Sequence, residues 1–186
     1  MIKRLPAICI IFFLQLMIPS DGADPIRGVQ DVVFLSSEEY LPVLLESIRG
    51  ARHDIHIEMY LIRPGQTDDH PVNTILSELA AARKRGVQVK VLMDSHFAGD
   101  NQKAEEKMKA GGVWDVSYEE ETVTNHTKLV MIDDEILLAG SQNWTLSALA
   151  ASHESAVFIK DARVVAELKK ELKRDGARCN GLFSHA

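Results

Sequence analysis

The chain has 186 residues, 46% hydrophobic and 26% charged, and its 21 Lys and Arg against 27 Asp and Glu leave a net charge of −6. That length holds one substantial core, and the acidic balance argues against a tight, sequence-blind grip on nucleic acid, which uses a basic footprint. Only two cysteines are present, and Cys9 lies in a leader-like segment, so a cysteine metal site or an intramolecular disulfide in the remainder is excluded.

The opening MIKRLPAICIIFFLQLMIPSDG carries Lys3 and Arg4, then an almost wholly apolar run from Leu5 to Ile18, then Ser20 and Gly22. This is the layout of a secretory signal peptide over residues 1–22, cut between Gly22 and Ala23. The apolar run is shorter than the roughly 20 residues that a membrane span needs, so no stable span is expected, with an uncleaved anchor as the alternative. Residues 23–186 are read as a single catalytic domain, secreted or periplasmic. Without Lys3, Arg4 and Asp21, 19 basic residues face 26 acidic ones. Cys179 then reads as a free thiol or as a link between two copies.

Further along, SSEEYLPVLLESIRGA (36–51) opens with Ser36 and has Glu39 three residues on, a capping-box helix start, with Pro42 expected in the first turn. DIHIEMYLI (54–62) alternates Ile55, Ile57, Met59 and Leu61 with His56, Glu58 and Tyr60, a strand pattern. After the loop PGQTDDHP come a helix closed by Gly86 (72–86) and a buried strand ending in Asp94 (87–94). DNQKAEEKMKAGG predicts a short helix, and a strand follows around 113–118. Two apolar runs, LVMID and EILLAG, are joined by an acidic turn at 133–135. NWTLSALAA predicts a helix, SAVFIK a strand and ARVVAELKKELKR a last helix. Strands alternating with helices predict an α/β layered sheet. The basic clusters at 83–85 and 169–174 fall near helix C-termini, where cations suit the dipole. There is no internal repeat.

The stretch NHTKLVMIDDEILLAGSQNWT (125–145) carries polar residues that a core does not need. His126 and Lys128 are two apart and so share a side of a strand. Asp133 follows after four residues, Gly140-Ser141 after six more, and Asn143 two beyond Ser141. Such a string arises by chance on the order of 10⁻⁸ per starting point. For Asp133 a plain turn role is an equal alternative. Ser141 and Asn143 could equally be a turn and a helix N-cap. His56, Glu58 and Tyr60 share a strand face that either lines a site or is an ordinary half-buried face.

The string H-x-K-x4-D-x6-G-S resembles the HKD signature of the phospholipase D superfamily in its G-S-x-N-x-T form. ILSELAAARKRGVQVKVLMD and SHESAVFI resemble the family's flanking segments, the latter carrying its acidic partner at Glu154. The likeness spans residues 32–175 and is greatest to small secreted bacterial endonucleases with one motif per chain. It implies an α/β fold, a layered mixed β-sheet flanked by helices on both faces, and a metal-independent phosphodiesterase without cofactor.

In that family's terms His126 is the nucleophile that becomes phosphorylated. Lys128, Ser141 and Asn143 hold the phosphate oxygens, Asp133 completes the motif, and Glu154 fixes the imidazole tautomer. A phosphorylated His126 can neither protonate a leaving oxygen nor accept a proton from water. One motif and no repeat therefore imply a homodimer with a shared active site, two His126 facing each other across a two-fold axis. Nucleic acid is slightly favoured as substrate. Phospholipid head-group diesters are the alternative, and a non-catalytic phosphate-binding module is the alternative of another class.

Overall fold

The computed structural model describes residues 31–176; the expected signal peptide, with its cleavage point, and Cys179 lie outside the described residues. Within them, β1 (Val32–Ser36), α1 (Ser37–Gly50), β2 (Asp54–Met59), α2 (Pro71–Lys84), β3 (Gln88–Met93) and α3 (Ala98–Ala110) come first. β4 (Asp115–Tyr118), β5 (Lys128–Ile132), β6 (Ile136–Gly140), α4 (Leu146–Ala150), β7 (Ser155–Lys160) and α5 (Ala162–Gly176) follow. The strands form one mixed sheet in the order β1-β7-β6-β5-β2-β3-β4. β2, β3 and β4 run parallel through the α2 and α3 crossovers, and the remaining pairs are antiparallel.

Alternation along the strands sorts two faces. Ile55, Ile57 and Met59 of β2, Val89, Val91 and Met93 of β3, and Val130 and Ile132 of β5 pack with Leu44, Ile48, Ile75, Leu79 and Met108 from α1, α2 and α3. Each such side chain contributes about 1.5–3 kcal/mol when fully buried, so this face is the main core. The other face carries Leu129, Met131 and Leu137 against Val165 and Leu168 of α5. The expected α/β sheet with helices on both faces is thus the observed fold, with one long helix on the second face.

Ser36 caps α1 as expected, its N–H donating to Glu39 Oε2 at 2.9 Å. Pro42 lies one turn deeper than expected, inside the helix. The loss falls on the carbonyl of Glu38, an exposed residue whose group water can serve. β1 has no counterpart among the predicted elements. Its partner β7, paired from Val32↔Ile159 to Ser36↔Ser155, lies far along the chain, so no local pattern announces it.

β5 and β6 form a hairpin whose two central turn residues, Asp133 and Asp134, have φ of 54° and 55°. Glu135 N–H closes the turn on the Ile132 carbonyl at 3.0 Å. Asp tolerates this left-handed region better than most residues. Asp133 does more: its carboxylate accepts from the N–H groups of Arg52 (2.8 Å), His53 (2.7 Å) and Asp54 (3.1 Å). It thereby fastens the α1–β2 connection to the hairpin.

Asp133→Ala removes these charge-assisted bonds and leaves a Cβ residue without a polar side chain in the left-handed region. It is expected to cost about 3 kcal/mol, lowering the melting temperature by roughly 6–12 °C. Calorimetry of the variant, with turnover measured on the folded fraction, checks this; lost turnover in a protein of unchanged stability would contradict it.

Candidate active site

The sheet topology gathers the polar residues at one edge. β2 and β3 are parallel, so Tyr60 and Asp94, just beyond their carboxyl ends, lie together. β5 runs against β2, with Met59↔Lys128 in register, so His126 and Lys128 enter at the same edge. β6 runs against β5 and β7 against β6, which brings Ser141, after β6, beside Glu154, before β7. Asp133 sits at the opposite end of β5, seven residues from His126 at about 3.3 Å per residue, or roughly 20 Å away. Four of the six candidate residues, His126, Lys128, Ser141 and Glu154, are thus brought to one edge, and Asp133 is not; it serves as a turn residue and a backbone clamp.

Lys128 is buried, and its Nζ donates to the His126 carbonyl oxygen at 2.7 Å and stands 3.2 Å from His126 Nδ1. An ammonium can only donate, so Nδ1 accepts, and a neutral ring then carries its proton on Nε2. The same Nζ lies 4.9 Å from the centre of the Tyr60 ring, and the Tyr60 and His126 ring centres are 4.4 Å apart. Burial draws the Lys128 pKa below its ordinary 10.5, and the carboxylates of Glu154 and Asp94 oppose that shift. The imidazole itself is exposed.

Sequence reasoning sets Glu154 on the imidazole. In the chain its Oε2 accepts the hydroxyl of Ser141 instead, and that hydroxyl oxygen accepts the Ser155 N–H at 3.1 Å. Ser141 therefore orients the carboxylate whose charge supports Lys128. Gly140 has no room for a side chain: a Cβ would fall 2.6 Å from both the Ala156 Cβ and the Ser155 carbonyl oxygen. The helix cap is Thr145, whose Oγ1 accepts from Ala148 N–H at 3.2 Å. Asn143 is thus released from the capping role, and its Oδ1 is buried without a hydrogen-bond partner among the described residues.

Trp144 anchors this loop. Fully buried, it donates Nε1–H to the Tyr40 hydroxyl at 3.2 Å and its backbone N–H to the Leu61 carbonyl at 3.0 Å. Burial pushes the Tyr40 pKa up to about 12, so its hydroxyl stays neutral as the acceptor.

Three further residues hold the edge that sequence reasoning did not assign to it. Asp94, fully buried, accepts the Asn125 N–H at 2.8 Å, fixing the residue before His126. Asn125 in turn accepts the Thr127 N–H at 3.1 Å. Buried Asn101 donates to the carbonyls of Asp94 (2.8 Å) and Tyr60 (3.2 Å) and accepts from Ile62 N–H (2.8 Å). The usable signal is the polar residue that ends a buried parallel strand, where α/β sheets place their sites. Of the strand-face trio, Tyr60 reaches the site and Glu58 accepts from Thr127 Oγ1 at 3.2 Å. His56 belongs to the other end, 3.2 Å from Asp54 Oδ1. Among the described residues no group of three or more His, Cys, Asp and Glu is placed to hold a metal ion.

Comparison with known proteins gives a family and a shared fold. The family described as "Cardiolipin synthase, PLD-like domain" matches residues 44–176. Mouse mitochondrial cardiolipin hydrolase is 23% identical over 138 residues, and cardiolipin synthase A of Cronobacter sakazakii 28% over 142. These matches cover 74% and 69% of this chain but only 58% and 28% of those proteins. Among solved structures, Nuc of Salmonella typhimurium, a phospholipase D family member, superposes with a TM-score of 0.65 at 21% identity, covering 77% of this chain and 91% of that one. NucT of Helicobacter pylori gives 0.62 at 17%, covering 77% and 94%.

Because burial already lowers the Lys128 pKa and Glu154 opposes it, Glu154→Gln is expected to lower it further. The Lys128 charge is then lost at a lower pH as the solution is made alkaline. NMR titration of the Lys128 side chain tests this: a midpoint below 10.5 in the parent chain and lower in the variant is expected, and an unchanged or raised midpoint in the variant contradicts it.

Proposed function

The chain belongs to the PLD-like domain family of cardiolipin synthases, a family that acts on phosphodiesters, and on that footing we propose that it hydrolyses phosphodiesters through a phosphohistidine at His126. The observation that carries the reading is the pair at the sheet edge, an open imidazole 3.2 Å from a buried ammonium. A neutral imidazole approaches an anionic diester without charge repulsion. Lys128 then turns from Nδ1 to a non-bridging phosphate oxygen, where its charge counts most as the transition state forms. In this reading Asn143 and Ser141 add donors for the phosphate oxygens, and Glu154 accepts from the Ser141 hydroxyl. The lysine and the imidazole supply the charge and the nucleophile, so the reading calls for no metal.

The proposal includes a homodimer. His126 is exposed on the chain whereas Lys128 beside it is buried. A second copy over this face would close the site and bring a second His126 toward the first across a two-fold axis. The reading also needs a second imidazole to protonate the leaving oxygen and later to accept a proton from water, and the His126 of the facing copy supplies it. The leader-like residues 1–22 support export, to the periplasm or the outside, of a single domain over 23–186. No helix among the described residues is long and apolar enough to cross a membrane.

Nucleic acid is the favoured substrate, supported by the resemblance to one-motif endonucleases and by the near-complete coverage of Nuc and NucT. A phospholipid head-group diester is the second reading, favoured by the acidic net charge and by the cardiolipin-acting names of the curated relatives.

Purified protein without residues 1–22 is expected to cut plasmid DNA in EDTA and to sediment as a dimer. His126→Asn is expected to lower turnover by about 10³-fold or more with the dimer intact. Head-group release from cardiolipin or phosphatidylcholine vesicles with intact plasmid would transfer the activity to lipids. Inactivity of the parent chain on every diester would leave a phosphate-binding module.

A further inference from the structure

Arg63 stands at the same sheet edge as the motif and has no part in it. Past β2 the chain runs beside the loop that follows β6. Trp144 N–H donates to the Leu61 carbonyl at 3.0 Å, Ile62 pairs with Trp144 as a parallel bridge, and Arg63 N–H donates to the Trp144 carbonyl at 2.8 Å. The Arg63 backbone is therefore fastened to the residue next to Asn143. Its side chain, 53% exposed, donates Nε–H to Oδ2 of Asp100 in the first turn of α3, at 2.8 Å. That bond orients the guanidinium and takes neither terminal amino group; among the described residues Nη1 and Nη2 make no hydrogen bond. Asp100 is also shared, its Oδ1 lying 3.9 Å from Lys103 Nζ, so two cations face one carboxylate.

The other arginines differ. Arg49 and Arg163 turn their terminal nitrogens to Glu78 and Asp161. Arg83 and Arg85 donate theirs to the carbonyls of Val87 and Ile48. Arg52 lies at the far end of the sheet, beside the Asp133 clamp. Arg63 is thus the arginine at the site edge with an anchored stem and an open end.

We propose that Arg63 binds the phosphate next to the one being cleaved, so that the site reads a nucleic-acid strand rather than an isolated diester. The inference rests on the phosphodiesterase reading above and narrows its substrate class. The open end of a guanidinium presents parallel N–H donors that match the oxygens of a phosphate. Held at Nε by Asp100, the group loses less freedom on binding than an untethered side chain would. The reacting phosphate has only a pair of non-bridging oxygens, and in the proposed reaction Lys128, Ser141 and Asn143 already serve them. A further cation on the rim is therefore matched to a further anionic group. A nucleic-acid strand supplies one at every nucleotide, whereas the diester of phosphatidylcholine stands alone. On a chain of net charge −6, a local surplus of positive charge at this edge is what a polyanion needs.

The test compares thymidylyl-thymidine, which has a single phosphate, with the thymidine tetranucleotide, in which every phosphate has a neighbour. With Arg63→Gln, KM for the tetranucleotide is expected to rise about 10–100-fold relative to KM for the dinucleotide, with kcat on both close to the parent's. The slope of log(1/KM) against log salt for the tetranucleotide becomes shallower by about one. Arg63→Lys, which keeps the charge and loses the fork, retains the slope and recovers only part of the affinity. Both variants keep the backbone bond to Trp144. A KM ratio and salt slope unchanged by Arg63→Gln, or equal losses on the two substrates, overturn the proposal and leave the phosphodiesterase reading standing. A loss confined to vesicles of cardiolipin, a lipid that also carries a second phosphate, with the tetranucleotide unaffected, overturns it too. A parent chain that cleaves neither these substrates nor any other diester overturns the reading beneath it, so the two failures are distinguishable.

Discussion

An ammonium beside a neutral imidazole, both held at the rim of a β-sheet, is the arrangement around which the rest of this molecule is ordered. Lys128 is buried where its charge is costly, and burial lowers its pKa. It stays there because it donates to the His126 carbonyl and Nδ1, lies over the Tyr60 ring, and feels the carboxylates of Glu154 and Asp94. A phosphate oxygen is a better partner for such a cation than an imidazole nitrogen is. The resting contacts therefore hold the charge in place and can be exchanged on binding.

The supporting residues make sense as the means of keeping that pair in register. Asp94 and Asn125 fix the peptide before His126, and Asn101 ties the ends of β2 and β3 together. Trp144, deep in the core, secures the Ser141–Asn143 loop through Tyr40 and Leu61. Gly140 lets β6 and β7 close to where Ser141 can meet Glu154. None of these touches phosphate in the proposed reaction, yet each sets a distance on which it depends, and small misplacements in such sites carry large rate penalties.

Much of this is legible in the sequence itself. Alternation in 54–59 and the apolar runs around 129–140 marked the central strands, and Ser36 with Glu39 marked the first helix to within a residue. The motif spacing marks His126, Lys128 and Ser141, which lie at one edge, and the resemblance of the flanking segment marks Glu154 beside them. What escaped detection depended on partners distant in sequence. β1 is defined by β7, and the clamp formed by Asp133 is defined by backbone amides on another loop. Glu154 falls on Ser141 because β6 and β7 set those two strand ends side by side, a fact of register rather than of spacing. Asp94 is visible in the sequence only as the end of a strand; its meaning comes from Asn125 arriving from elsewhere in the chain.

The central claim is that phosphorus is bonded to His126 between two displacements, and stereochemistry at phosphorus tests it most directly. A diester made chiral at phosphorus with sulfur and oxygen isotopes is turned over in labelled water, and the product configuration is read by phosphorus NMR. Two in-line displacements, each inverting, predict net retention. Net inversion would mean that water attacks the diester directly, with His126 serving only as a base, and would contradict the account.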